Sequence, residues 1–322
     1  MQRAGALRTI EVVRRLVRNQ VLSMLLILIL IWVVLAFLSP YFFTVTNLFE
    51  ITLQSAVFAI IAAGETFVIF SGGIDLSVGS VFAVSAIIGG IVFRSTGSVV
   101  LACLVSLLTG MGAGLVNGLF IAGLRVPPFV ATLGMMGIAR GFALIAVSGI
   151  PIYGLTQAYM WIGQGRLWHV LPVPTIIMVI VFILAFLTLR YTRFGRFTYA
   201  IGSNRESARL SGVNVFQVTL GIYIIAGMLS AVAGVIESAR LGTVQPAGGD
   251  GYELLAIGAV VIGGTSLFGG EGHIIGSLIG ALIVTTIRNG LNILGVYAFW
   301  QYVVNGLIII VAVAFDQIRR KR

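Results

Sequence analysis

Apolar runs too long and too sparsely charged for a water-soluble fold dominate this chain. Residues 21–38 form the first. Others cover 47–70, 81–93, 98–124, 129–148, 175–189, 216–239, the shorter 254–261, 274–288 and 302–315. About 20 apolar residues carry a helix across the hydrocarbon core of a bilayer. Inside that core the chain must satisfy its own backbone N–H and C=O groups, which selects helices for such runs. The fold class expected is all-α, a polytopic membrane protein of about ten transmembrane helices. Charged residues make up 9% of the chain, against about 25% in soluble domains, and mean hydropathy is +1.10.

The net charge of +10 would suggest nucleic acid in a soluble chain. Here the arginines sit at the ends of apolar runs and read as topology signals, with membrane lipid and not nucleic acid as the surroundings. With the N-terminus inside and ten crossings, fifteen of the twenty basic residues fall on the inner face. They are Arg3, Arg8, Arg14, Arg15 and Arg18 of an N-terminal arm, Arg125, the group from Arg190 to Arg209, and the tail ending Arg319-Arg-Lys-Arg322. Arg94, Arg166 and Arg240 fall outside, and Arg140 and Arg288 lie within spans. The positive-inside rule then puts both termini in the cytoplasm. The chain divides into a basic arm (1–20), a membrane domain (21–315) containing a cytoplasmic loop (191–215), and a basic tail (316–322).

That loop carries a polar island between two spans. Ser203-Asn204-Arg205-Glu206 fits the S-x-x-E capping box, with Ser203 as cap and Glu206 reaching back. Gly212 follows about two turns later, where helices often stop. A short helix over 204–211 is predicted, with Arg205 and Arg209 on one face and small Ser207, Ala208 and Ser211 allowing close approach. It reads as a docking knob for a cytoplasmic protein or as a solvated loop whose arginines only fix topology.

Two glycine-rich breaks interrupt apolar stretches, Gly72-Gly73-Ile-Asp-Leu-Ser-Val-Gly79 and Gly263-Gly264-Thr-Ser-Leu-Phe-Gly-Gly270. Broken segments in corresponding halves point to a transport pathway; tight turns at the inner surface are the plainer reading. Glu65, Asp75, Arg140 and Glu237 lie in or beside spans, where a charge costs roughly 2.5–3.5 kcal/mol on insertion scales and must meet a cavity or a partner. Glu65–Arg140 is one expected pair; Glu237 and Arg240 suit an outer helix end. Asp75 and Ser77 at the first break, with Asn117 and Asn47, are candidate pathway groups for a neutral solute. Gly110, Gly112, Gly114 and Gly118 suit close helix packing, and Tyr153, Tyr159, Trp161 and Trp168 suit an external interfacial loop.

Lys321 is the single lysine, so no P-loop G-x-x-x-x-G-K-[ST] can be built. No nucleophile–base arrangement has a credible context. Cys103 is alone, and His169 and His273 lack metal-ligand spacing. No catalytic, cofactor or metal site is expected in this chain.

Four stretches carry a resemblance: GGIDLSVGS at 72–80, VPPFVATLGMM at 126–136, YAIGSNRESARLSGVNV at 199–215, and ARLGTVQPAGGDGYELL with VVIGGTSL at 239–255 and 260–267. They resemble the permease of ribose-type ABC sugar importers, in the branched-chain amino-acid and monosaccharide permease group, from about residue 38 to the end. The family's usual acidic residue two positions after the Glu of GYEL is Leu255 here. The resemblance implies a type II-like ABC importer permease in the bacterial inner membrane, a homodimer or heterodimer with a second permease copy. It implies a cytoplasmic ABC ATPase that uses ATP and Mg, and a periplasmic sugar-binding protein. Gly202, Ser203, Asn204, Arg205, Glu206, Ser207, Ala208, Arg209, Leu210, Ser211 and Gly212 would then couple the permease to the ATPase. The solute implied is a monosaccharide, a ribose-like pentose, hexose or polyol. A self-sufficient ion-coupled carrier using Glu65 and Asp75 is the alternative from another class; an intramembrane enzyme finds no nucleophile–base pair or metal cluster to support it.

Overall fold

The structure, a computed structural model, describes residues 20–317 apart from 169, 298, 302, 305, 308, 309, 311, 312, 315 and 316. The basic arm short of residue 20, His169, and almost all of the tail lie outside the described residues. In chain order the elements are α1 (Gln20–Leu38), α2 (Val45–Phe70), α3 (Val78–Thr96), α4 (Val99–Gly118, continued by the π-turn Leu119–Gly123) and α5 (Pro128–Ile145). Then come α6 (Gln157–Gln164), a two-residue hairpin of β1 (Arg166–Leu167) and β2 (Leu171–Pro172), α7 (Val173–Tyr191), α8 (Arg193–Ser203), α9 (Arg205–Leu210), α10 (Val215–Leu241), α11 (Tyr252–Ile262) and α12 (Ile274–Ile293). Among the described residues eight helices are long and apolar enough to cross a bilayer. All described residues from 299 to 317 are helical as well, although Tyr302 and Phe315, the expected ends of a last span, are not described.

The starts and stops follow local chemistry. Thr44 accepts the Asn47 N–H at the head of α2, and Ser98 accepts the Leu101 N–H at the head of α4. Proline occupies the first turn of α5 and α7, where its missing N–H is not needed. Left-handed Gly97 and Gly242 close α3 and α10. The short α11 has 11 residues, about 16 Å at ~1.5 Å per residue, roughly half the hydrocarbon thickness.

Helix α2 is the central post. Of its membrane-length window 89% is buried, against 17% for α1 and 22% for α4 and for α5. Helices α10, α12, α7 and α11 pack around it, and Trp32 of α1 donates to Thr286 of α12 at 3.2 Å. Helix α4 crosses α10 at close range. A Cβ on Gly110 would meet the Gly227 carbonyl, and one on Gly114 the Tyr223 carbonyl, so the backbones touch where small residues recur four apart. Gly118 faces Leu220, but Gly112 has open space beside it and takes no part. Tyr153, Trp161 and Trp168 are exposed as expected of the loop before α7. Tyr159 is not; it is fully buried against Phe93, with ring centroids 5.0 Å apart.

Gly114→Ala should therefore lower the melting temperature of the purified protein, since overpacking a close crossing costs about 1–3 kcal/mol. Gly112→Ala, two residues away on the same helix, should leave it unchanged. Equal effects would contradict the crossing.

Candidate functional site

The polar island folds into α8 and α9, joined at Asn204. Helix α9 is the short helix foreseen, but its cap differs. Helix α8 runs through Ser203, so Asn204 is the residue with extended backbone, and its Oδ1 accepts the Ser207 N–H at 2.8 Å. Ser203 does not cap, and Glu206 does not reach back. Glu206 instead accepts both Arg209 donors, Nε at 3.0 Å and Nη2 at 2.6 Å. That hydrogen bonding, with Arg125 nearby, holds the Glu206 carboxyl below its ordinary value. A lowered pKa means the pair supports the helix at neutral pH and loses that support as pH falls through the depressed value. Gly212 ends the helix at φ +84: Val213 N–H reaches the Ala208 carbonyl at 3.1 Å and Gly212 N–H the Arg209 carbonyl at 3.0 Å, a Schellman closure. Ala208 and Val213 are buried beneath, while Arg205, Ser207 and Arg209 are exposed and Leu210 stands 74% exposed at the tip.

This knob sits on a clasp formed by both glycine-rich breaks. The Gly270 N–H donates to the Phe70 carbonyl at 3.0 Å. Gly202 lies so close to the same carbonyl that no Cβ fits there, and Gly269 packs against Gly72 and Gly202. Tyr199 of α8 stacks on Phe70, 4.6 Å between centroids, and donates to the Gly272 carbonyl at 3.2 Å. The ends of α2, α8 and the α11–α12 turn are thus held together in one block, with α9 projecting from it.

Within the first break Gly73 to Asp75 have no regular structure and Leu76 begins a turn, and side chains replace the missing helix bonds. Gly73 N–H finds the Val68 carbonyl at 3.0 Å. Asp75 N–H donates to Glu65 Oε1 at 3.1 Å, and Leu76 N–H to Thr132 Oγ1 at 3.2 Å; the Thr132 hydroxyl lies 3.2 Å from the Ile74 carbonyl. Asp75 Oδ1 accepts Ser77 N–H at 2.8 Å and Ser77 Oγ at 2.6 Å, and Asn117 Nδ2 donates to Ser77 Oγ at 2.9 Å. Asp75 also puts its carboxylate at the positive end of α3. Glu65, Asp75, Ser77, Asn117 and Thr132 are all buried, none more than 2% exposed. Three candidate pathway residues therefore meet in one network, in the packed interior and away from any open surface. Asn47 is apart from them: it accepts from Asn289 at 2.7 Å and donates to the Phe42 carbonyl at 2.8 Å, tying the head of α2 to α12.

The expected Glu65–Arg140 pair does not form. Arg140 Nη1 donates to the Pro246 and Gly248 carbonyls at 3.0 and 2.7 Å; both charged groups found backbone partners. Glu237 does pair with Arg240, at 2.9 Å, with Glu50 at 3.9 Å.

Residues 47–313 match the family described as branched-chain amino acid transport system / permease component. The chain is 45% identical over 298 residues to the ribose import permease protein of Escherichia coli strain K12, covering 91% of this chain and 92% of that protein. It is 44% identical to the ribose import permease protein of Bacillus subtilis strain 168, over 90% of each chain. Against the D-allose transport system permease protein of Escherichia coli strain K12 identity is 41%, over 92% of this chain and 91% of that one. No solved structure matches. The chain belongs to this family of ABC transport permeases. The permease is a multi-pass membrane protein.

Sequence reasoning missed two contributors to the permease's polar clusters. Thr132 lies inside the VPPFVATLGMM stretch yet serves the break 56 residues away. Tyr223 of α10 brings its hydroxyl against Gly73. Leu210, named among the coupling residues, is the apolar tip of the knob.

Thr132→Val keeps shape and removes the bonds to Leu76 and Ile74. A buried N–H left unpaired costs about 1–3 kcal/mol, so the melting temperature should fall, and Thr132→Ser should restore it. A valine variant as stable as the parent would refute the backbone-holding role.

Proposed function

We propose that the chain is the membrane-spanning subunit of an ATP-driven importer for a neutral monosaccharide of the ribose class. The observation that carries this is the likeness to ribose import permeases over nine-tenths of both chains. A cytoplasmic ATPase using ATP and Mg supplies the power, a periplasmic sugar-binding protein delivers the solute, and a second permease copy, most simply an identical one, completes the pathway. Open space beside Gly134, Gly137 and Gly141 on α5 supports a face able to take that copy closely.

The α8–α9 block, both termini and residues 191–215 face the cytoplasm on this reading, supported by the crowd of arginines there and by Arg125 near Glu206. Residues 202–212 are the coupling element. Leu210 enters an apolar notch on the ATPase while Arg205 and Arg209 flank it. Because Gly202 is locked against Phe70 and Gly270, a push on α9 reaches both breaks without a flexible link. Asp75, Ser77 and Asn117 fix where α3 re-enters the membrane, and Asn47 steadies the opposite end of α2; these residues position the pathway helices. One oxygen of each of Glu65 and Asp75 is taken by a backbone N–H, and both side chains are closed from any open surface, which argues against their use as ion-coupling carboxylates even though Glu65 Oε2 has no partner.

Proteoliposomes holding this chain, its ATPase and loaded sugar-binding protein should take up D-ribose only with ATP, and the chain alone under a proton or sodium gradient should take up none. Uptake by the chain alone would reverse the assignment. In the same vesicles Leu210→Asp, or Arg205→Ala with Glu206→Ala, should cut uptake at least tenfold. The melting temperature should hold, since exposed pairs add little to stability.

A further inference from the structure

Helix α7 ends in a cluster of arginines at the rim of the molecule. Its buried stripe is Met178, Phe182, Ala185 and Leu189. The stripe beside it, Val179, Ile183 and Phe186, is exposed and continues at the same spacing to exposed Arg190. An exposed apolar stripe on a span faces lipid, so Arg190 stands where that contact stops. From Val173 to Arg190 the helix climbs about 26 Å at ~1.5 Å per residue, most of the ~30 Å hydrocarbon thickness. Tyr191, 67% exposed, meets the Phe186 ring edge-on with centroids 6.2 Å apart, an aromatic placement suited to the headgroup level.

The chain then turns sharply. Thr192 has extended backbone, and its Oγ1 accepts the Gly195 N–H at 3.2 Å to open α8. Gly195 lies so near the Thr188 and Leu189 carbonyls that no Cβ fits, which folds α8 tightly onto the end of α7. Phe194 points inward, 6.3 Å from the Phe67 ring, and Thr198 and Ile201 are buried. Arg193 and Arg196 are left exposed, three apart and therefore on one side of the helix.

Three guanidinium groups thus share one elbow. Among the described residues the ion pairs are those of Arg209 and Arg240, so no carboxylate there neutralises Arg190, Arg193 or Arg196. A guanidinium fork matches the oxygens of a phosphate two at a time. The elbow lies where the lipid-facing stripe of α7 ends, so its first neighbour is a headgroup, whereas the ATPase is assigned to α9 further along. We infer that the α7–α8 elbow binds the phosphate of an anionic phospholipid through Arg190, Arg193 and Arg196. That the leaflet is the cytoplasmic one rests on the orientation proposed above; the binding itself does not. A lipid held there fastens α8, and with it the block that carries α9, to the membrane surface.

The test is native mass spectrometry of the full chain in mild detergent, titrated with phosphatidylglycerol or phosphatidylcholine. Wild-type protein should bind phosphatidylglycerol at least fivefold more tightly. Each arginine at an anionic surface contributes roughly fivefold, so the triple variant Arg190→Gln, Arg193→Gln, Arg196→Gln should lose at least tenfold. The triple lysine variant, which keeps the charges and guards against a folding artefact, should stay within threefold of wild type, and Arg94→Gln should change nothing. Equal binding of the two lipids, or full phosphatidylglycerol binding by the glutamine variant, overturns the site. Displacement of the lipid by excess inorganic phosphate would make it a free-anion site, and displacement by the ATPase would make it part of that interface; either also overturns the lipid assignment. Failed sugar uptake with selective lipid binding intact would remove the import reading and keep the site.

Discussion

A backbone N–H or C=O in hydrocarbon must be bonded by protein, because no water is there to take it. That constraint shapes the permease most where the helix stops. Between Ser71 and Ser77 the chain abandons its i→i−4 bonds inside the bundle, and Glu65, Asp75 and Thr132 stand in for them. The polar residues that look misplaced in a 59% hydrophobic chain are there for the backbone. Glu65 sits twenty residues into α2 because the Asp75 N–H arrives at that height. Arg140 follows the same logic at the other end, serving two carbonyls of a segment that has no helix of its own.

The second consequence concerns transmission. The two breaks do not lie in separate halves of the molecule; they meet at the Phe70 carbonyl, with Gly202 pressed on it and Gly270 bonded to it. A rigid element at one end of α2 is thereby joined to α8, α9 and the α11–α12 turn. The surface consequence is a small, well-capped helix with an exposed leucine, a shape that an adjoining protein can grip. On the reading proposed above, such a device would let this chain respond to a partner that uses ATP.

Much of this was legible in the sequence. The membrane helices fall where the apolar runs are, because hydrocarbon tolerates little else: α1 ends at Leu38, α2 at Phe70, and α12 begins at Ile274, as read. Gly212 stops α9 because only glycine takes φ +84 without strain. The cap was misread at Ser203 because a local motif cannot show that α8 continues through it. The Glu65–Arg140 pairing failed for a different reason: opposite charges in lipid suggest each other, whereas both were claimed by backbone groups. The role of Thr132 depends on a contact 56 residues apart, which no spacing rule encodes. Asp75, Ser77, Asn117 and Asn47 were read together as pathway groups; the coordinates join the first three in one buried network and put Asn47 beside α12.

The central claim is that α9 faces the cytoplasm and is covered by an ATPase. Ser207→Cys in a Cys103→Ser background, treated with a membrane-impermeant maleimide, tests it directly. The account predicts labelling in inside-out vesicles, none in sealed right-side-out vesicles, and protection when the ATPase is bound. Labelling from the outer side, or labelling indifferent to the ATPase, would contradict it.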